Sequence, residues 1–356
     1  MGIEGKKARF FSTPVNRRQV LKGLGLAGAA AAFVGPLGLA KALAPKEADS
    51  RPAAGEIPSR LLGKTGIKVP IFCLGGWHLG TMASEADSTR LVHEAVGEGL
   101  TFMDNAWEYH KGRSEEWMGK ALKGRREKVF VMTKVCTHGR DKKVAMRQLE
   151  QSLRRFRTDY LDLWQIHEVI YEDDPDLIFA PGGAIEALAE AKKQGKVRFI
   201  GFTGHKDPKI HLKMLAYDFP FDTCQMPLNV FDGTYRSFER EVLPVLNQRG
   251  IAPLAMKTLT GNGEPIAKGI LTVDEALRYV LSLPVTSIVT GIDSPKVLRQ
   301  NLDIARRFTP MPAEEMAALR GRMATYAANG QFESFKSSRK YDGPEGRKQR
   351  LLEMES

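Results

Sequence analysis

From residue 69 onward the chain repeats one unit: a short apolar run, a polar turn, and a stretch with apolar positions three and four apart. Continuous apolar runs of that length suit strands buried on both faces, and three-four spacing suits helices with one buried stripe. The pattern predicts strands over 71–74, 101–103, 129–133, 161–166, 199–201, 223–226, 252–255 and 287–289. It predicts helices over 84–98, 115–122, 142–154, 183–194, 210–217, 238–248, 273–283 and 296–307. Ser114, Asp274 or Thr272, and Ser294 ahead of Pro295, are placed to cap helix N-termini.

Eight strands alternating with eight helices predict an α/β fold with a closed parallel sheet, a single (β/α)8 TIM barrel over residues 57–330. The competing arrangement, an open doubly wound sheet, carries a Gly-rich phosphate loop after its first strand. Residues 75–80, Gly-Gly-Trp-His-Leu-Gly, lack that spacing, and Trp77 and His78 would crowd a pyrophosphate. That loop reads as a substrate wall instead. Residues 60–69 read as an N-terminal β-hairpin that plugs the barrel bottom. Residues 313–327 add a C-terminal helix, and the polar tail 331–356 is expected to be loosely ordered.

The N-terminus changes the charge picture. Asn16-Arg17-Arg18-Gln19-Val20-Leu21-Lys22 precedes a Gly-, Ala- and Leu-rich run to Leu43, and Ala42-Leu43-Ala44 offers small residues for a signal peptidase. This pattern resembles a twin-arginine export signal over residues 1–44, followed by a linker over 45–56. Pro36 and Lys41 interrupt the run and make it a poor membrane span, so no stable span is expected in the mature protein. The implied partner is the twin-arginine machinery, which carries folded cargo, and the implied location is periplasmic or otherwise extracytoplasmic. Residues 1–44 hold seven Lys/Arg and one acid, +6 of the formal +11. The remaining 46 basic and 41 acidic residues leave a modest surplus that argues against a nucleic-acid partner. Cys73, Cys136 and Cys224 are far apart, each beside apolar residues, and read as buried thiols, with a disulfide of unspecified pairing the alternative in an exported protein. No metal or iron–sulfur site is expected. His78, His138 and His205 have no carboxylate or Cys at ligand spacing.

Asp104, Tyr109, Lys134 and His167 each lie at or just past the end of an apolar run. The C-terminal ends of parallel barrel strands share one mouth, so the four side chains are expected to converge. Together they form a proton-donating site for carbonyl reduction: Tyr109 as general acid, Lys134 favouring the phenolate, Asp104 holding Lys134, and His167 polarising the carbonyl. No side chain can supply hydride, so a redox cofactor is required.

Three stretches resemble the aldo-keto reductase family. They are Phe102-Met103-Asp104-Asn105-Ala106-Trp107-Glu108-Tyr109 with Gly112-Arg113-Ser114-Glu115, then 158–167, then 195–201, in register across roughly residues 57–307. The resemblance implies a barrel that binds NADPH across its C-terminal mouth without a Rossmann motif, and the four residues above as its catalytic set. Trp77, Trp107 and His110 are expected in the pocket wall.

The cofactor positions depart from the family. Phe202-Thr203-Gly204-His205 stands where Ser-Asn is common, so Thr203 keeps a hydroxyl and His205 takes over part of the missing Asn's role. Gln225 matches the other nicotinamide amide contact. Met256 replaces a stacking Tyr, and Lys257 is placed to reach the pyrophosphate. Ser294, Lys296, Arg299, Gln300 and Asn301 fit the adenosine side, while Asp293 opposes a 2′-phosphate. The balance favours NADP(H) over NAD(H). The expected function is an exported oxidoreductase interconverting an aldehyde or ketone and its alcohol, the small molecule being its partner. The altered cofactor positions also support a weakly catalytic or non-catalytic binding or sensing protein on the same barrel. A Lys134 Schiff-base aldolase is the third option.

Overall fold

The computed structural model of the protein describes residues 55–137 and 140–349. The export signal, most of the linker and His138 lie outside those residues. Among the described residues, no helix is long and apolar enough to cross a membrane.

Two short strands, β1 (Ser59–Leu61) and β2 (Lys68–Pro70), pair antiparallel with Arg60 opposite Val69. Eight more follow: β3 (Phe72–Gly75), β4 (Phe102–Asp104), β5 (Phe130–Val135), β6 (Leu161–Ile166), β7 (Val197–Thr203), β8 (Thr223–Pro227), β9 (Ala252–Met256) and β10 (Ser287–Gly291). They are all parallel, run in sequence order, and close where β10 pairs with β3. The expected (β/α)8 barrel and its hairpin are therefore the fold.

The period of two along each strand decides what faces where. Phe102, Phe130, Met132, Leu163 and Leu254 point into the barrel and pack with one another. Met103, Val131, Trp164, Ile200 and Met226 point outward into the layer shared with the helices. The hairpin contributes Leu62 and Val69 to the interior cluster, so it plugs the lower end as expected. Arg60 fastens it by donating to the carbonyls of Val285 and Leu281, both at 2.7 Å. The same alternation carried toward the mouth puts Asp104 two residues beyond Phe102, Lys134 two beyond Met132, and Gln165 and His167 two and four beyond Leu163. Apolar layers fill the bottom and middle, and the polar layer sits on top of them.

The tail departs from the sequence expectation. Beyond the helix Ala313–Ala327, Phe335, Lys336 and Asp342 are buried. Lys336 Nζ donates to Asp232 Oδ1 at 2.6 Å and to the Tyr235 carbonyl at 2.7 Å, and lies 2.9 Å from Glu333 Oε1. Polarity alone suggested a loose end, but these polar groups are partners for one another and for the loop after β8. Residues 332–347 form a strap across the barrel mouth.

Candidate active site

Lys134 stands at the centre, almost wholly buried. Its ammonium donates to Asp104 Oδ1 at 2.5 Å, to the Asn105 carbonyl at 2.6 Å, and to the Tyr109 hydroxyl at 3.4 Å. Tyr109 follows β4 in a tight turn, Tyr109–Gly112, in which His110 and Lys111 adopt left-handed φ of 52° and 59°. Its ring meets His167 edge-on at 5.7 Å and Trp77 edge-on at 5.2 Å. His110 lies 4.5 Å from Trp77. The close approach of the 76–79 turn to β4 requires Gly76, where a Cβ would stand 2.4 Å from the Asp104 carbonyl.

Trp107, expected in the pocket wall, is elsewhere. Its indole donates to Gln151 Oε1 at 2.7 Å, and the Arg155 guanidinium lies over its ring, so it faces the helix Lys142–Phe156. Arg155 also binds the Trp107 carbonyl and the buried Glu115, each at 2.8 Å. Glu115 takes Thr133 and Ser152 as further donors, so the Gly-Arg-Ser-Glu stretch ties two helices to β5.

Burial pushes the Tyr109 phenol well above its ordinary value, and Asp104, Glu108 and Glu168 add to that. The Lys134 ammonium lies 3.4 Å from the hydroxyl. Tyr109 therefore keeps its proton. Burial drops His167 to about 3, against the opposing pull of Glu168, so the imidazole is neutral and carries one N–H.

Two acidic residues that the sequence reading passed over flank this set. Glu108 Oε1 lies 2.8 Å from His167 Nδ1, but the pair lacks the alignment of a hydrogen bond. Glu168 follows His167 with a left-handed φ of 48°, which turns it into the mouth beside its neighbour. Ligand atoms of Glu108, His167 and Glu168 lie within 4.8 Å of one another. Burial lifts both carboxyls to about 7. The turn is braced from below: fully buried Arg140 donates to the carbonyls of His167 and Glu168 at 3.0 and 2.8 Å and pairs with Asp174 at 2.9 Å. The signal was present as polar residues adjoining Tyr109 and His167, but about sixty residues separate Glu108 from Glu168 in the chain.

The proposed cofactor positions divide into three groups. Thr203, Gln225 and Met256 gather at the ends of β7, β8 and β9; Thr203 Oγ1 already accepts from the Glu168 amide, and Gln225 accepts from Gln165 at 3.0 Å. His205 and Lys257 are engaged by the strap. His205 Nε2 faces Asp342 at 3.7 Å, and Lys257 lies over the rings of Phe335 and Tyr341. Asp342 also meets Lys206 at 2.9 Å and accepts from Tyr171 at 3.0 Å. At the third location Ser294 caps the helix Pro295–Arg306, with Lys296 and Gln300 exposed near that end. Asn301 instead donates inward to Thr290, and Arg299 pairs with Glu94 at 2.9 Å on the neighbouring helix.

A family model described as the aldo/keto reductase family matches residues 72–263, more than half of the chain. The chain belongs to the aldo/keto reductase family. It is accordingly an NAD(P)H oxidoreductase. A twin-arginine translocation signal model matches residues 14–34. The uncharacterized oxidoreductase YqkF of Bacillus subtilis is 28% identical over 306 residues, spanning 73% of this chain and 94% of that protein. L-galactose dehydrogenase of Arabidopsis thaliana is 28% identical over 287 residues, spanning 69% and 88%. Among solved structures, the thermostable aldo-keto reductase Tm1743, in complex with the inhibitor epalrestat, aligns with a TM-score of 0.62 at 26% identity, covering 75% of this chain and all of that one. The holo form of aldo-keto reductase AKR11C1 from Bacillus halodurans aligns with a TM-score of 0.64 at 24% identity, covering 75% and 96%.

Proposed function

We propose that this family member is an exported reductase that interconverts a small aldehyde or ketone and its alcohol, with Tyr109 as general acid. The observation that carries the reading is the buried chain Asp104–Lys134–Tyr109, with contacts of 2.5 and 3.4 Å, set against His167. Reduced nicotinamide, when bound, supplies the hydride. Gln225 and Met256 would hold its ring end, and Ser294 and Lys296 its adenosine end. His167, neutral, donates one N–H to the carbonyl oxygen and orients it. Tyr109 gives its proton to the oxygen as the alkoxide forms. Lys134, held in place by Asp104, then stabilises the phenolate left behind. The contacts of Lys134 with Asp104 and the Asn105 carbonyl bind it as a fixed ammonium, which disfavours a Schiff-base role.

Export sets a further requirement, because free pyridine nucleotide is scarce outside the cytoplasm. The strap over Lys257 and His205 supports slow release, with the nucleotide carried out bound. The same strap also favours the second reading, a nucleotide-binding protein with little turnover. Tyr109→Phe separates the two: loss of aldehyde reduction by roughly 10²–10⁴, with nucleotide affinity kept, is the expected result for the enzyme. No reduction of any aldehyde by the native protein leaves the binding reading. Lys296 and Ser294 at a helix N-terminus favour a 2′-phosphate, so NADPH is expected to bind more tightly than NADH by calorimetry. The reverse order would overturn that preference.

A further inference from the structure

We propose that the outer face formed by the helices Arg113–Ala121 and Lys142–Phe156 is a docking surface for a bilayer that carries anionic phospholipid. Residues 111–157 hold fifteen Lys/Arg against five Asp/Glu, a net +10. The other residues of 45–356 hold 31 against 36, a net −5. The modest surplus beyond the signal is thus the balance of two opposite regions, and one side of the barrel is strongly positive.

Much of that charge is at the surface without a counter-charge. Lys134 and Arg140 are buried and committed to Asp104 and Asp174. Lys123, Arg125, Lys143, Arg147, Arg154 and Arg157 have no acidic partner among the described residues. Of the five acids, Glu115 binds Arg155, Glu150 pairs with Lys196, and Asp141 caps the second helix, which leaves Glu116 and Glu127 to oppose the cations.

On the helix Lys142–Phe156 the free cations form one line. Lys143, Arg147 and Arg154 are spaced by four and seven residues, so they share a helix face about 16 Å long. All three are exposed, while Ala145, Leu149, Ser152 and Phe156 on the other side are buried. Cations near a helix C-terminus complement the macrodipole, and Arg154 fits that explanation. Lys143 does not, because it stands in the first turn, where the dipole disfavours a cation, and Arg147 follows one turn later. Between the two helices an open groove of about 450 Å³ is lined by Glu116, Lys120, Gln151, Arg154, Arg155 and Arg157. Lys120 and Arg155 have carboxylate partners, Glu85 and Glu115, so Arg154 and Arg157 are the cations left there to take a headgroup phosphate.

The lack of apolar side chains on this face selects the partner. Among the described residues the exposed large apolar side chains are Leu61, Trp77, Leu177 and Tyr217, and none lies within 111–157. A protein partner would need an apolar core to its interface. Phosphate headgroups bind Lys and Arg without one, each cation near the surface strengthening binding about fivefold. Nucleic acid would also bind by charge. An exported protein is kept from it, so the choice of lipid rests on the export proposed above, while binding to vesicles is measured without reference to export or turnover.

The test uses residues 47–356, a compact unit that holds the closed barrel, its hairpin and its strap and omits the signal's own cations. It is sedimented at about 0.1 M salt with vesicles of phosphatidylglycerol and phosphatidylcholine in equal parts, beside vesicles of phosphatidylcholine alone. The expected result is binding to the anionic vesicles only, lost on raising the salt to about 0.5 M. The triple variant Lys143→Gln, Arg147→Gln, Arg154→Gln should bind about a hundredfold more weakly with an unchanged Tm. A control triple, Lys193→Gln, Lys209→Gln, Arg240→Gln, removes the same charge from other helices and should bind within about threefold of the native protein. Equal binding to neutral vesicles, no binding to anionic ones, or equal losses in the two triples would overturn the proposal. So would tighter binding of duplex DNA than of the anionic vesicles, which would assign the face to nucleic acid.

Discussion

Lys336 on the strap and Asp232 in the loop after β8 form a fully buried ion pair at 2.6 Å. Glu333 shares the same ammonium at 2.9 Å. Removing one member of such a group strands the others without a counter-charge, at a cost of about 3–5 kcal/mol. Lys336→Met should therefore loosen the strap while the barrel stays folded. Trypsin should then cut after Arg339 and Lys340 at least tenfold faster, and bound nucleotide should leave faster. Unchanged cleavage would show that the strap is held by something else.

The same logic applies under the catalytic tyrosine. Lys134 is 1% exposed and relies on Asp104. Asp104→Ala should destabilise the protein by about 3–5 kcal/mol in urea denaturation, and adding Lys134→Met should recover most of that loss. A cost below about 1 kcal/mol for the single change would mean that the pair is not desolvated in solution.

Acid sensitivity should come in part from His211, which packs between Phe202 and Phe238. Burial drops its pKa to about 3, from an ordinary 6.5. A folded-state value below the unfolded one means that the unfolded chain binds more protons. This contribution is fully present above about pH 6.5 and is lost as pH falls toward 3, by roughly 2 kcal/mol between pH 7 and pH 5. His211→Leu should flatten that part of the stability–pH curve; parallel curves for the two proteins would refute the assignment.

Much of the fold was legible because buried parallel strands need continuous apolar runs and their helices need a stripe. The run 161–166 coincides with β6, and other strands differ by one or two residues at their ends, where fraying makes the signal weak. Asp104 and Lys134 were legible for the same reason: strand order and period fix where strand ends meet, whereas Tyr109, in the same loop as Trp107, was named through the family motif. Trp107 was misplaced because a loop residue has no period to orient it. Arg299 pairs with Glu94, a contact between neighbouring helices that no local pattern announces.

What the sequence by itself determined was the barrel, its plugged lower end and the polar layer at its mouth, since alternation along a strand acts locally. Only the tertiary structure decided that Glu108 meets His167–Glu168, that Arg140 and Asp174 brace that turn, and that a polar tail folds back over His205 and Lys257. Those contacts join residues far apart in the chain. Burial and charge pairing in three dimensions select them, and no local pattern encodes that selection.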